Sequence, residues 1–411
     1  MTDYYDDLET RDPARREAAL FAALPAYLEE TRARASALAR RLEGIASSEI
    51  TSRAALARVP VLRKSELAEL QRREPPFGGL AAAPADAIAH VFASPGPLYE
   101  VSGDGDFAGF ARPLFAAGFR QGDLVYNTFS YHFTPAGLMV DFGARALGCA
   151  VFPAGVGQTE LQVSAIADLK PHGYVGTPSF LKILLEKGRE VGADTSSFTK
   201  ALVSGEALPA SLRAHFEESG VRVLQCYTTA ELGVVAYESP AREGLIVNEG
   251  LILEIVRPGT GDPVSEGEVG EVVVTNLFSH RYPLVRFGTG DLSAVLPGAS
   301  PCGRTNTRIR GWLGRADQSA KVRGMFVHPS LVAQVLRRHP EIRRARLVVR
   351  RENDTDAMTL RCETASPSSE ALAPAVVASL REVCKLRGEV ELLPAGSLPN
   401  DGKVIEDTRP V

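Results

Sequence analysis

The sequence predicts an α/β fold, with a large N-terminal domain of parallel βα units and an antiparallel subdomain, followed by a small C-terminal α+β domain. Three observations carry this expectation. The chain has 411 residues, more than one ordinary core holds, because single domains settle at roughly 100–250 residues. Between residues 123 and 227 short apolar runs alternate with helical stretches, the signature of parallel βα units. Past Glu231 the helices thin out, strand-like runs separated by Gly- and Pro-containing turns take over, and a mixed module closes the chain.

Taken in order, residues 14–44 read as one long helical segment, with Leu20, Ala23, Tyr27 and Leu28 at helical spacing and Pro25 as a kink point. Pro60 precedes a short helix for which Ser65 is the expected cap. The βα region supplies strands at 124–127, 150–153, 173–176, 201–204 and 221–225, with helices at 135–147, 160–169, 179–191 and 209–219. Ligands of such sheets bind beyond the carboxyl ends of the strands, so the turns there are the first place to look for a site. Antiparallel strands are expected at 251–256, 270–275 and 292–296. The last module combines a helix after Pro329, strands at 345–350 and 358–362, and a helix over 372–385. The Ala-rich stretch 80–87 reads as a connector.

Composition narrows the function classes. Hydrophobic residues make up 45% and charged residues 23%, the balance of a folded globular protein. A formal charge of −4 over this length leaves no electrostatic footprint for nucleic acid or for an anionic membrane. The acidic N-terminus lacks the basic and apolar blocks of a signal peptide, and no apolar run reaches membrane-spanning length. The expected partner is a small molecule, with no nucleic acid and no membrane; the expected compartment is the cytoplasm, with a homodimer as the one assembly kept open. The five cysteines are scattered and odd in number, so neither a disulfide framework nor a zinc ribbon is supported.

Four segments occur in a telling order. Ser204-Gly205-Glu206 follows one strand and Cys226-Tyr227-Thr228-Thr229-Ala230-Glu231 follows the next; Arg286-Phe287-Gly288-Thr289-Gly290-Asp291 comes later, and Gly314-Arg315-Ala316-Asp317 leads into the last module. This order resembles the adenylate-forming enzymes of the acyl-CoA synthetase type over nearly the whole chain, and Pro301-Cys302-Gly303-Arg304 is similar to the phenylacetate-CoA ligase-like branch. The resemblance implies domains at 1–316 and 317–411, the second mobile about a hinge. It also implies a reaction in which a carboxylic acid, aromatic by preference, is activated with ATP to an acyl-adenylate and passed to coenzyme A, with AMP, Mg2+ and CoA as the accompanying ligands.

Residue by residue, the resemblance gives Ser204, Gly205 and Glu206 to the adenine-contacting turn, although Ser-Gly-Glu is also ordinary turn chemistry. It makes Tyr227 the ring that stacks on adenine, places Thr228 beside the nucleotide, and makes Glu231 the magnesium-holding carboxylate. Asp291 would accept the ribose hydroxyls, as an ionised carboxylate with two acceptor oxygens can. Arg315 would contact ribose or phosphate, Asp317 would be the hinge, Gly324 would lie close to the thiol arm, and Lys403 would bridge acid and phosphate oxygens as a point charge. Tyr131, His132 and Phe133, with the turn Gly176-Thr177-Pro178, are candidates for the acid pocket; ordinary core and cap positions explain them equally well.

Two departures from the family pattern stand out. The phosphate loop, which resembles Ser-Ser-Gly-Thr-Thr-Gly-Lys elsewhere, here reads Phe92-Ala93-Ser94-Pro95-Gly96-Pro97-Leu98-Tyr99-Glu100. Prolines remove amide donors, the lysine and threonines are gone, and Glu100 adds an acid where phosphates would lie. Ala230 also replaces a phosphate-contacting hydroxyl, with Thr228 or Thr229 as substitutes. Ser239 and Ile246 stand where a structural zinc of this branch would find ligands, leaving Cys302 alone, so no metal beyond nucleotide-bound magnesium is expected. The alternative to an active ligase is a degenerate relative that binds nucleotide, acyl-adenylate or CoA ester without turnover.

Overall fold

The computed structural model describes residues 3–84, 87–94, 98–257, 260–316, 320–323, 325–327, 329–353, 355–365, 371–399 and 403–409. They fall into two compact units, Met1–Leu313 and Gly314–Val411.

The first unit opens with α1 (Pro13–Arg32), capped by Asp12, whose carboxylate accepts the Arg15 amide, and started by Pro13 where no amide partner is needed. Pro25 is accommodated inside it. The expected single helix to residue 44 is instead two: Ala35 is extended, and α2 (Ser36–Arg41) starts afresh. After α3 (Arg53–Leu56), the two-residue strand β1 (Leu62–Arg63) runs directly into α4 (Lys64–Arg73). Extended Arg63 is the cap residue of α4 and no side chain caps it. Ser65 is therefore inside the first turn rather than at the cap, because the strand delivers the chain into the helix two residues early.

The next segment forms a hairpin of β2 (Val91–Ser94) and β3 (Leu98–Val101), where the sequence suggested only a loop. The central sheet has nine strands in the order β14-β15-β10-β9-β8-β7-β6-β4-β5. Its parallel half is β4 (Leu124–Asn127), β5 (Ala150–Pro153), β6 (Gly173–Gly176), β7 (Lys200–Val203) and β8 (Arg222–Thr229). Helix α5 (Ala111–Ala116) precedes it, and α6 (Ala136–Ala146), α7 (Thr159–Leu169), α8 (Pro178–Val191) and α9 (Ala210–Glu218) make the crossovers. Val125, Val175, Leu202 and Leu224 pack into one core, while Tyr126, Tyr174, Ala201, Val203 and Val223 pack into another. Both faces of the inner strands are covered, which is why they read as continuous apolar runs, while β5 at the edge is partly open.

At β8 the sheet changes sense: β9 (Gly233–Glu238), β10 (Leu245–Val247), β14 (Val295–Leu296) and β15 (Arg308–Ile309) continue it antiparallel. A second sheet runs β1-β13-β12-β11, with β11 (Leu251–Val256), β12 (Gly270–Asn276) and β13 (Phe287–Ser293) antiparallel and β1 parallel to β13. The run expected as one strand at 292–296 is split, because the chain passes from the second sheet to the first at Ala294, which is fully buried. Apolar residues of both sheets, among them Val235, Val247, Leu253, Val274 and Phe287, share a core between them.

The second unit begins with β16 (Gly314–Arg315) and a hairpin of β17 (Ala320–Val322) and β18 (Met325–Val327). Helices α10 (Pro329–Arg337) and α11 (Leu372–Cys384) accompany a four-stranded sheet ordered β21-β20-β19-β22. Its long antiparallel pair is β19 (Ile342–Glu352) and β20 (Thr355–Thr364); β21 (Glu389–Pro394) and β22 (Ile405–Asp407) add in parallel at the two edges. The sequence reading contains neither edge strand: β22 has three residues, too few to show a period.

Candidate active site

The site assembles where β8 of the first sheet faces β13 of the second. Pairing of β8 with β9 shifts register between Tyr227 and Thr228, the kind of bulge that re-aims a side chain at a strand end. The Tyr227 hydroxyl donates to Asp291 Oδ2 at 2.7 Å. Trp312 donates its indole N–H to Asp291 Oδ1 at 3.0 Å. The Thr289 hydroxyl, itself bonded to the Val272 carbonyl at 3.0 Å, accepts the Asp291 amide at 3.1 Å. Asp291 is thus a buried carboxylate oriented by donors on both of its oxygens. Trp312 was not among the expected residues; its one sequence signal is that it is the only tryptophan, two residues ahead of Gly314.

The Arg286 that opens this motif serves the scaffold. Its guanidinium is 2% exposed, meets both oxygens of Glu254 at 3.0 Å, and donates to the Ala57, Val59 and Gly261 carbonyls. Its backbone is in the left-handed region at φ 47°, a strained conformation that such a network can hold in place.

The turns after β6 and β7 meet. Thr177 caps α8, Pro178 follows it, and Glu206 accepts the Ser179 amide at 3.3 Å, so its carboxylate lies at the positive end of that helix. Gly205 adopts φ 83°, which glycine permits. Gly176 has no room for a Cβ, which would meet Thr128 Oγ1 at 2.0 Å. The expected edge-reading role of Ser204 needs correction, because its side chain is buried and its hydroxyl donates to the Cys226 carbonyl at 2.7 Å. Thr228 meets Cys226 Sγ at 3.4 Å, and Thr229 accepts the Leu232 amide at 3.1 Å, so both hydroxyls suggested as replacements at Ala230 have internal partners.

Glu231 follows, with a side chain only 3% exposed and an ion pair at 2.7 Å from Oε1 to Lys64 Nζ. Burial works to raise this carboxyl, but the Lys64 charge and hydrogen bond, helped by Thr229, hold it below the usual carboxylate range. Nearby, Glu100 Oε1 accepts the Ser94 hydroxyl at 2.6 Å, diagonally between the two strands of the β2–β3 hairpin. Burial, and then the charge of Glu231, push the Glu100 carboxyl up to about 8 against the opposing pull of Ser94 and Lys64. Burial and the neighbouring Glu231 thus work against the negative charge expected of Glu100. Both acids line a cavity of about 290 Å³ together with Phe92, Phe107, Met139 and Tyr282.

The candidate acid-pocket residues lie elsewhere. Tyr131 accepts from Asn127 Nδ2 at 2.8 Å and donates to Asp141 at 3.3 Å; His132 is exposed, and Phe133 is 82% exposed, while its carbonyl accepts the Ala93 amide. None of Tyr131, His132, Phe133, Gly176, Thr177 and Pro178 lines the cavity beside Glu231, whereas their neighbour Pro135 does. In the second unit Arg315 lies on β16 and Lys403 is exposed just before β22. Asp317, Gly324 and the loop tip with Gly96 lie outside the described residues.

Glu231 is the carboxylate expected to hold magnesium, and a hard oxygen donor suits that ion. Its charge, however, is already balanced by Lys64, and among the described residues no group of three or more His, Cys, Asp or Glu side chains gathers where an ion could be held. As arranged, these residues do not form a metal site of their own. At the place considered for zinc ligands, Ser239 and Ser300 hydrogen-bond to the Cys302 thiol instead.

The sequence matches the AMP-binding enzyme family over residues 110–278 and the AMP-binding enzyme C-terminal domain over residues 324–408. Phenylacetate-coenzyme A ligase of Thermus thermophilus is 36% identical over 328 residues, 76% of this chain and 73% of that protein. The protein of the same name from Aromatoleum evansii is 30% identical over 78% of this chain and 75% of its own length. Among solved structures, 2-hydroxyisobutyryl-CoA ligase in complex with 2-HIB-AMP and CoA aligns with a TM-score of 0.86 at 26% identity, covering 99% of this chain and 93% of that one.

Proposed function

Because this chain belongs to the AMP-binding family of adenylate-forming acyl-CoA synthetases, on its phenylacetate-CoA ligase-like branch, we propose that it is an AMP-forming acid:CoA ligase acting on an aromatic carboxylic acid. A carboxylate is a poor electrophile. Its oxygen attacks the α-phosphorus of ATP, pyrophosphate leaves, and the resulting mixed anhydride gives its acyl group to the thiol of coenzyme A with loss of AMP. Catalysis of the first step is positioning plus stabilisation of charge on the transferring phosphate. ATP is taken as its magnesium complex, so the ion belongs to the substrate.

The observation that carries this reading is the Asp291 carboxylate, oriented by Tyr227 and Trp312 at 2.7 and 3.0 Å beside the Tyr227 ring. The Tyr227 ring then offers a face to adenine, with the Gly205-Glu206 turn at its edge. Arg315 is assigned to ribose or phosphate, Lys403 to the oxygens of acid and phosphate during adenylation, and Asp317 and Gly324 to the hinge and the thiol arm. Aromatic preference rests on the relatives named phenylacetate-coenzyme A ligase.

A second reading, a binder of nucleotide or CoA ester without turnover, draws support from the loss of phosphate-loop donors at Pro95-Gly96-Pro97. Acid-dependent exchange of labelled pyrophosphate into ATP, across aryl and alkyl acids, separates the two. Exchange strongest with an aryl acid supports the ligase; none with any acid, beside measurable AMP or CoA binding, supports the binder.

A further inference from the structure

The ligase reading leaves one chemical gap, on which this inference rests. A loop that grips pyrophosphate needs a cation, and the described residues of the β2–β3 hairpin contain neither lysine nor arginine; the tip between them is Pro95-Gly96-Pro97. We propose that Lys64 supplies that cation, held in place by Glu231 and presented to the pyrophosphate oxygens of ATP.

Three observations support the assignment. Lys64 Nζ lies 2.7 Å from Glu231 Oε1, and its side chain is 31% exposed while that of Glu231 is 3% exposed. A buried acid is thus paired with a lysine whose side chain is partly accessible. Lys64 is also mounted on the scaffold that carries Asp291: β1 pairs with β13 through Leu62↔Phe287 and Arg63↔Gly288, and Lys64 is the next residue. Finally, Lys64 is the first residue of α4, a ten-residue helix whose N-terminus no side chain caps, so the partial positive charge of the helix end adds to that of the ammonium.

Charge and geometry agree with the role. An ammonium has three N–H donors, so its contact with Glu231 does not exclude one to a phosphate oxygen. Attraction scales with the product of charges, and pyrophosphate carries more charge than one carboxylate. A lysine on a flexible stem is suited to act as a point charge toward phosphate. Glu231 then acts as a positioning residue that fixes where the charge stands.

The test separates the two half-reactions, because pyrophosphate takes part in adenylation and not in thioester formation from a supplied acyl-adenylate. Lys64→Met is expected to lower pyrophosphate exchange by about 10²–10³-fold and to raise the KM for pyrophosphate, while conversion of supplied acyl-adenylate and CoA to thioester keeps its rate. Lys64→Arg should restore part of the exchange. Lys64→Met leaves a buried carboxylate uncompensated, so Lys64→Met/Glu231→Gln serves as the folding control: it should melt like the wild type and still fail to exchange. Wild-type exchange in Lys64→Met, equal loss of both half-reactions at an unchanged melting temperature, or recovered exchange in the double variant would each overturn the assignment. A wild type inactive in both half-reactions would overturn the ligase reading, and this proposal with it.

Discussion

At the residue scale, the site is governed by how two kinds of buried carboxylate are compensated. Asp291 is held by donors that include the Tyr227 hydroxyl and the Trp312 indole N–H. Tyr227→Phe keeps the ring and removes one donor; hydrogen bonds to charged groups contribute about 1.5–3 kcal/mol, so AMP affinity measured by calorimetry should fall about tenfold to a hundredfold. Asp291→Ala should cost at least as much, since both ribose contacts go; an unchanged Kd in either variant would contradict the assignment. Glu100 is the opposite case, raised from 4.5 to about 8. Between those values the native state keeps a proton that the unfolded chain has released, so stability falls as pH rises through the interval, and the penalty is complete above about 8. Glu100→Gln retains an acceptor for Ser94 and removes the titration; its gain in melting temperature over the wild type should be larger at pH 9 than at pH 6, and an equal gain at both would rule this out. Asp291 was singled out in the sequence by the resemblance of Arg286-Phe287-Gly288-Thr289-Gly290-Asp291 to a family motif, and the structure places it on β13. Trp312 and Lys64 were not, since each acts on a partner brought near only by the pairing of distant strands.

At the element scale, the helices before residue 74 are tied to the sheets by buried charge. Glu9, 1% exposed, meets Arg304 Nε at 2.9 Å and accepts the Tyr237 hydroxyl; Arg16 reaches Glu249 at 3.1 Å with both side chains 4% exposed. Removing one partner of a buried pair typically costs about 3–5 kcal/mol, against about 0–1 for an exposed one. Denaturant titration should therefore find Glu9→Ala far less stable than Glu74→Ala, whose Arg40 partner is 55% exposed; similar midpoints would contradict the burial argument. Four of the parallel strands were legible to within a residue, because each is a short apolar run bounded by turns, whereas β8 runs to Thr229, four residues past the end expected at 225. The β2–β3 hairpin was hidden by its Pro-Gly-Pro tip, which reads as a loop, and the break at Ala294 was hidden because the apolar pattern continues while the strand changes sheets.

At the scale of the whole molecule, the division into Met1–Leu313 and Gly314–Val411 puts the residues proposed to hold adenosine in one unit and Arg315 and Lys403 in the other. If Lys403 contacts the acid and α-phosphate oxygens, Lys403→Ala should lower the adenylation rate by about 10²–10³-fold and leave AMP binding to Asp291 and Tyr227 in place; a parallel loss of AMP affinity would assign it a different role. The central claim is that the altered phosphate loop still supports turnover. Acid-dependent exchange of labelled pyrophosphate into ATP tests it most directly: the account predicts exchange with at least one aryl acid that is abolished in Asp291→Ala. No exchange with any acid, in a protein that still binds AMP or CoA, would contradict it.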